Sequence, residues 1–146
     1  MHTTFRVAFA GVALSAAMLW APAAFAETVV FKAELTASSE VPPVESKGNG
    51  TLTATYDTGN KSLNYTANYS GLTGDATAAH FHGPAAAGQN AGVVVPVTGS
   101  AASPIKGSAT LNDAQATDLM AGRWYFNIHT AANKGGEIRG QVVKGQ

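Results

Sequence analysis

From Val29 onward the chain alternates apolar and polar residues in run after run. Val29, Phe31, Ala33 and Leu35 share one parity, and Lys32, Glu34 and Thr36 the other. Leu52, Ala54 and Tyr56 alternate with Thr51, Thr53 and Thr55, and Leu63, Tyr65, Ala67 and Tyr69 with Ser62, Asn64, Thr66 and Asn68. Successive strand side chains point to opposite faces of a sheet, so a period of two gives each run one apolar face that must be covered. Asp57-Thr58-Gly59-Asn60 between two such runs is turn chemistry and predicts a hairpin. Further runs at Ala76–His82, 92–98, 104–111, 123–130 and 137–144 bring the total to about eight strands, at the spacing of a sandwich or barrel. One segment departs from the pattern. Asn112 can cap, Gln115 follows three residues later and Gly122 can end a helix, which predicts a short helix over 113–121. The prolines of Val41-Pro42-Pro43-Val44 lack ladder donors, so this stretch is expected as an exposed loop, with Glu40 and Glu45 as solvated carboxylates beside it.

Residues 1–26 have a different character. Arg6 precedes an apolar run over 7–20 and the small-residue ending Ala24-Phe25-Ala26, the three-part plan of a secretory signal. The run is about 14 residues, short of the roughly 20 that span a bilayer. The expectation is cleavage after Ala26, one domain over 27–146, export to the periplasm or the medium, and no membrane anchor after cleavage. The chain has no cysteine, which excludes disulfides, thiolate metal sites and cysteine nucleophiles, so an exported fold must hold by packing alone. Nine basic and nine acidic residues leave no positive surplus to neutralise phosphates, which excludes nucleic acid as the expected partner. A metal ion or an extracytoplasmic protein remains.

Beyond the leader there are three histidines, His80, His82 and His129. His80 and His82 form an H-x-H pair about 6.6 Å apart along one face of a strand, and two imidazoles at that spacing can share a metal ion. Phe81 points the opposite way. In Trp124-Tyr125-Phe126-Asn127-Ile128-His129, the residues Trp124, Phe126 and Ile128 form the apolar face, which leaves His129 on the other. All three histidines therefore have non-core parity, as a shared site requires. If 131–135 is a hairpin loop, His129 faces Glu137, Asn127 faces Arg139, Ile128 lies beside Ile138 and Phe126 over Gly140, and every pair respects its face. Glu137 is then expected to orient the His129 ring, with Asn127 and Arg139 nearby and Arg139 able to pair with Glu137. The ion expected, if one binds, is copper(II) first and zinc second. The competing reading is a structural polar cluster in which the histidines are satisfied by Glu137, Asn127 and backbone groups. No glycine pattern opens a nucleotide-binding helix and no serine lies in a nucleophile elbow, so no catalytic residue is expected.

The ordered blocks Phe31-Lys32-Ala33-Glu34-Leu35, Glu40-Val41-Pro42-Pro43-Val44, Ala79-His80-Phe81-His82-Gly83-Pro84-Ala85, Gly122–Thr130 (GRWYFNIHT) and Gly136-Glu137-Ile138-Arg139-Gly140-Gln141 resemble the CHRD domain, the module repeated in chordin and found singly in exported bacterial proteins. The resemblance implies an all-β, immunoglobulin-like Greek-key β-sandwich, distantly similar to copper/zinc superoxide dismutases. It implies no established activity. His80, His82 and His129 resemble copper ligands of the dismutases, but the bridging histidine, the remaining zinc ligands and the disulfide cysteines have no counterpart. The expectation is a non-enzymatic binding module whose histidine cluster is structural or weakly metal-binding. A dedicated copper or zinc binder is the alternative, and a dismutase-like enzyme is disfavoured.

Overall fold

The computed structural model describes residues 25–145, so all but the last two residues of the expected leader over 1–26 lie outside the described residues. Eight strands form: β1 Thr28–Thr36, β2 Asn49–Asp57, β3 Ser62–Ser70, β4 Ala76–His82, β5 Val93–Pro96, β6 Ile105–Thr110, β7 Trp124–Thr130 and β8 Ile138–Lys144. All pairings are antiparallel, in the order β5-β4-β7-β8-β1-β2-β3-β6. β6 returns beside β3 and β7 beside β4, the long connections of a Greek key. The expected sandwich is thus one sheet curled on itself, with hydrogen bonding continuous across β8 and β1.

The two halves of the curled sheet close over a single apolar core. Phe31 and Leu35 of β1, Leu52 of β2 and Leu63 of β3 meet Phe81, Trp124, Phe126 and Ile128 from the other half, all essentially fully buried. Tyr65 of β3 meets the ring of Phe81 edge-on at 5.0 Å, across the interior. These are the parities expected from the alternation, so the sequence pattern and the core agree.

Local chemistry sets the connections. Asp57 accepts at Oδ1 from the N–H groups of Gly59 (2.8 Å) and Asn60 (3.2 Å), turning β2 into β3 where the hairpin was expected. Asn112 and Gln115 form a reciprocal capping box that opens α1, Asp113–Met120, and Gly122 follows it at φ 68°. Leu119 is the side chain α1 buries in the core.

One strand departs from its expected pattern. All seven residues of β7 are buried, including Tyr125, Asn127 and His129 on the face read as non-core. The 83–92 excursion covers that face: the Tyr125 hydroxyl donates to the Ala91 carbonyl at 3.2 Å and Arg139 reaches Asn90 at 2.8 Å. The outer face of β4, β7 and β8 is therefore a second, polar interior.

Candidate metal centre

Strand register builds the site as a grid. His80 pairs with Asn127 and His82 with Tyr125 across β4 and β7, while Asn127 pairs with Arg139 and Tyr125 with Gln141 across β7 and β8. Ile128 and Phe126 pair with Ile138 and Gly140, which is the hairpin register expected from face parity. His129 lies one pleat beyond Asn127 and so reaches His80 diagonally.

The three histidines converge as expected. His80 Nδ1 is 3.0 Å from His129 Nε2, and one donor atom from each of His80, His82 and His129 lies within 4.8 Å of the others. The rings of His80 and His82 are 5.6 Å apart and nearly perpendicular. His82 and His129 are each only 9% exposed.

Hydrogen bonds assign the nitrogens. His129 Nδ1 is 2.9 Å from the Lys134 carbonyl and His82 Nδ1 is 2.9 Å from the Ala91 carbonyl. A carbonyl only accepts, so both rings donate there and each keeps its lone pair at Nε2. Backbone carbonyls on the far nitrogen are a common way for metal-binding imidazoles to be oriented. His129 Nε2 then accepts from His80 Nδ1–H. His82 Nε2 faces Asn127 Oδ1 at 3.0 Å, and a neutral ring satisfies this contact only when the Asn127 amide turns its N–H₂ toward it. The ring of His82 is stacked flat on Tyr125, 4.7 Å between centroids, which fixes its plane.

Burial lowers the basicity of His80, and the neighbouring His129 and His82 lower it further. Burial also lowers that of His129, against an opposing pull from the Lys134 carbonyl. Neutral imidazoles are the form that coordinates a metal.

The expected partners of the cluster are redistributed. Asn127 touches His82 rather than His129. Glu137 does not orient His129. Its carboxylate accepts from Ser46 Oγ (2.6 Å), the Thr73 N–H (2.8 Å), Thr73 Oγ1 (2.6 Å), Thr130 Oγ1 (2.6 Å) and Asn133 Nδ2 (3.1 Å). Burial pushes its carboxyl up, but the hydrogen bonds from Ser46, Thr130 and Thr73 outweigh burial and bring it down to about 2. Ser46 and Thr73 come from loops 91 and 64 residues away, which hairpin register could not reveal. Arg139 does not pair with Glu137 either. It lies flat over Tyr125 at 3.4 Å and donates to Asn90 Oδ1 at 2.8 Å and to the Gln89 carbonyl.

Glu40, expected as a solvated carboxylate, is 5% exposed. Among the described residues its Oε1 has no hydrogen-bond partner. Burial pushes its carboxyl up to about 7, against the opposing pull of Arg139 and of Asn127. Gly136 makes room for it: at φ 128°, a side chain there would put its first carbon 2.3 Å from Glu40 Oε1. Gly83 has a similar duty on the core side, since a Cβ would fall 2.5 Å from the Trp124 indole. Two glycines of the sequence blocks thus have steric reasons to be glycine.

Comparison with known proteins agrees with this reading of the blocks. The family model described as the CHRD domain matches residues 31–142, which holds all eight strands' core residues and all three histidines. No curated protein and no solved structure matches the chain. With the match spanning most of the sequence and both the H-x-H and the GEIRGQ segments inside it, the chain belongs to the CHRD domain family.

Proposed function

We propose that this domain is an exported, non-enzymatic binding module in which His80, His82 and His129 hold a copper(II) or zinc(II) ion. The observation that carries the reading is the orientation of two buried imidazoles by backbone carbonyls, with the third in contact with them. Around an ion with bonds of 2.0–2.1 Å, tetrahedral donors stand about 3.4 Å apart, so the donor atoms, now within 4.8 Å of one another, close by up to about 1.4 Å at the widest pair, while His80 Nδ1 and His129 Nε2, at 3.0 Å, open slightly. His80 moves its Nδ1 proton to Nε2 and Asn127 gives up its contact with His82 Nε2. The three nitrogens leave a further coordination position for water or a partner's side chain. Copper is favoured over zinc by its generally tighter binding to imidazole sites. Export rests on the composition of residues 1–26, and mass spectrometry of the mature N-terminus tests it: a chain starting at Glu27 supports it, and one retaining residues before Leu14 does not.

Calorimetric titration of untagged protein with copper(II) and zinc(II) tests the site. The expected result is one ion per chain, a raised Tm, and loss of both in a folded His80→Ala/His82→Ala variant. Binding weakens as pH falls through about 6.5 and below, because protonated imidazoles do not coordinate. A superoxide assay on the copper-loaded protein is expected to show no turnover.

A structural cluster is the second reading, favoured by the hydrogen bonds that already occupy both nitrogens of His82. It requires that metal leave the Tm unchanged and that the double variant lose stability instead.

A further inference from the structure

A cavity of about 350 Å³ opens between the Ser38–Val41 turn, the Ala87-Gly88 tip and β8. Glu40, Arg139 and Gln141 line it, with the hydroxyl-bearing Ser38 and Ser39 at its rim. We propose that this cavity binds a small carboxylate anion, held by the Arg139 guanidinium and the Glu40 carboxyl.

The first reason is an uncompensated buried cation. Arg139 is 2% exposed, and among the described residues no carboxylate lies within ion-pair distance of it. A buried charge is costly unless paired. Its described hydrogen bonds run to neutral acceptors, Asn90 Oδ1 and the Gln89 carbonyl, and use two of its five N–H groups. Stacking on Tyr125 fixes the plane of the guanidinium. A planar fork with N–H groups to spare pairs side by side with two oxygens of a carboxylate or a phosphate but not with a spherical anion, and a carboxylate brings no further charged oxygen to be desolvated in the site.

The second reason is Glu40. Its side chain lines the cavity together with Arg139, and burial keeps the group a neutral acid up to about pH 7. A neutral carboxylic acid donates one O–H, and a ligand carboxylate is the natural acceptor in a site that already holds a cation. Arg139 is the only charged side chain besides Glu40 among the lining residues, so the protonated site has a net positive charge. Ionising Glu40 cancels that charge and replaces a donor with a like-charged repulsion. The cavity's volume is at the lower end of the range for small-molecule sites, which suits an anion of a few carbons.

NMR titration of the protein with sodium acetate tests this, with sodium chloride and sodium phosphate at matched ionic strength as the comparison. The expected result is saturable shifts confined to the Arg139 Nε–H and the Gln141 amide for acetate, with chloride and phosphate at least tenfold weaker. Acetate affinity is expected to be flat between about pH 6 and 7, where acetate is fully ionised, and to fall about tenfold per pH unit above it, since one proton is released for each site emptied. Glu40→Gln, which stays neutral, is expected to bind acetate with no such fall. Arg139→Lys, which keeps the charge but loses the fork, is expected to bind at least tenfold more weakly. Absence of saturable shifts, equal effects of chloride or phosphate, or a Glu40→Gln variant with the wild-type pH profile each overturns the proposal. Should Arg139→Lys fail to fold, the wild-type and Glu40→Gln profiles decide it. None of these outcomes depends on whether the histidines bind a metal.

Discussion

The two faces of β7 bury their side chains equally and for opposite reasons. On the inner face Trp124, Phe126 and Ile128 are held by contact with apolar neighbours from both halves of the sheet. Their energy comes from area removed from water and needs no particular orientation. On the outer face Tyr125, Asn127 and His129 are buried beside His82, Arg139 and Glu40. There each polar atom must find a partner, or it costs stability. The inner face therefore tolerates approximations in chemistry but not in volume, and the outer face the reverse. Its flaws are correspondingly informative: among the described residues Glu40 Oε1 goes without a hydrogen-bond partner there, and Arg139 makes no ion pair. The inner face has one such atom, Trp124 Nε1, which follows from burying an indole wholly among apolar groups.

The comparison breaks most easily at Trp124. Trp124→Ala leaves a large void against Gly83 and Phe81 and is expected to cost about 3–5 kcal/mol in chemical denaturation. A neutral result would mean the inner face is not packed as described.

Glu137→Gln probes the opposite rule. It replaces a charged acceptor of five donors with a neutral amide whose N–H₂ faces donors, and is expected to cost about 1.5–3 kcal/mol at pH 7. The pH dependence carries a sign. The folded carboxyl, at about 2, lies below the unfolded value of 4.5, so its stabilisation is present above about 4.5 and is lost as pH falls toward 2. Denaturation curves for the variant are expected to lack this acid loss.

His82→Ala is expected to cost less, about 1–2 kcal/mol, because water can enter from the 83–92 side to satisfy Asn127 and Ala91. A cost as large as that of Trp124→Ala would favour the structural cluster over the metal site.

Glu40→Gln gives the smallest change, within about 1 kcal/mol at pH 5, and the clearest slope. The folded carboxyl, at about 7, lies above the unfolded 4.5, so the group favours the folded state most below about 4.5 and progressively less as pH rises to 7. Relative to wild type, the variant is expected to become more stable between those values, the mirror image of Glu137.

Sequence by itself determined what depends on neighbours along the chain. Alternation set which side of each strand meets the core, Asp57 and the Asn112–Gln115 box set a turn and a helix start, and parity across one short hairpin set the pairing of Ile128 with Ile138. Because pleat parity survives folding, it also placed His80, His82 and His129 on one face. Only the tertiary structure decided what lies over that face. The partners of Glu137 come from Ser46 and Thr73, the cover of His82 from Ala91, and the burial of Glu40 from its approach to Gly136 and Arg139. Each contact joins loops whose paths are fixed by the curl of the whole sheet, and a loop residue has no periodicity to announce where it will land. Charge misleads for the same reason: Glu40 beside two prolines reads as solvent-facing, and it is buried because a distant glycine leaves room for it.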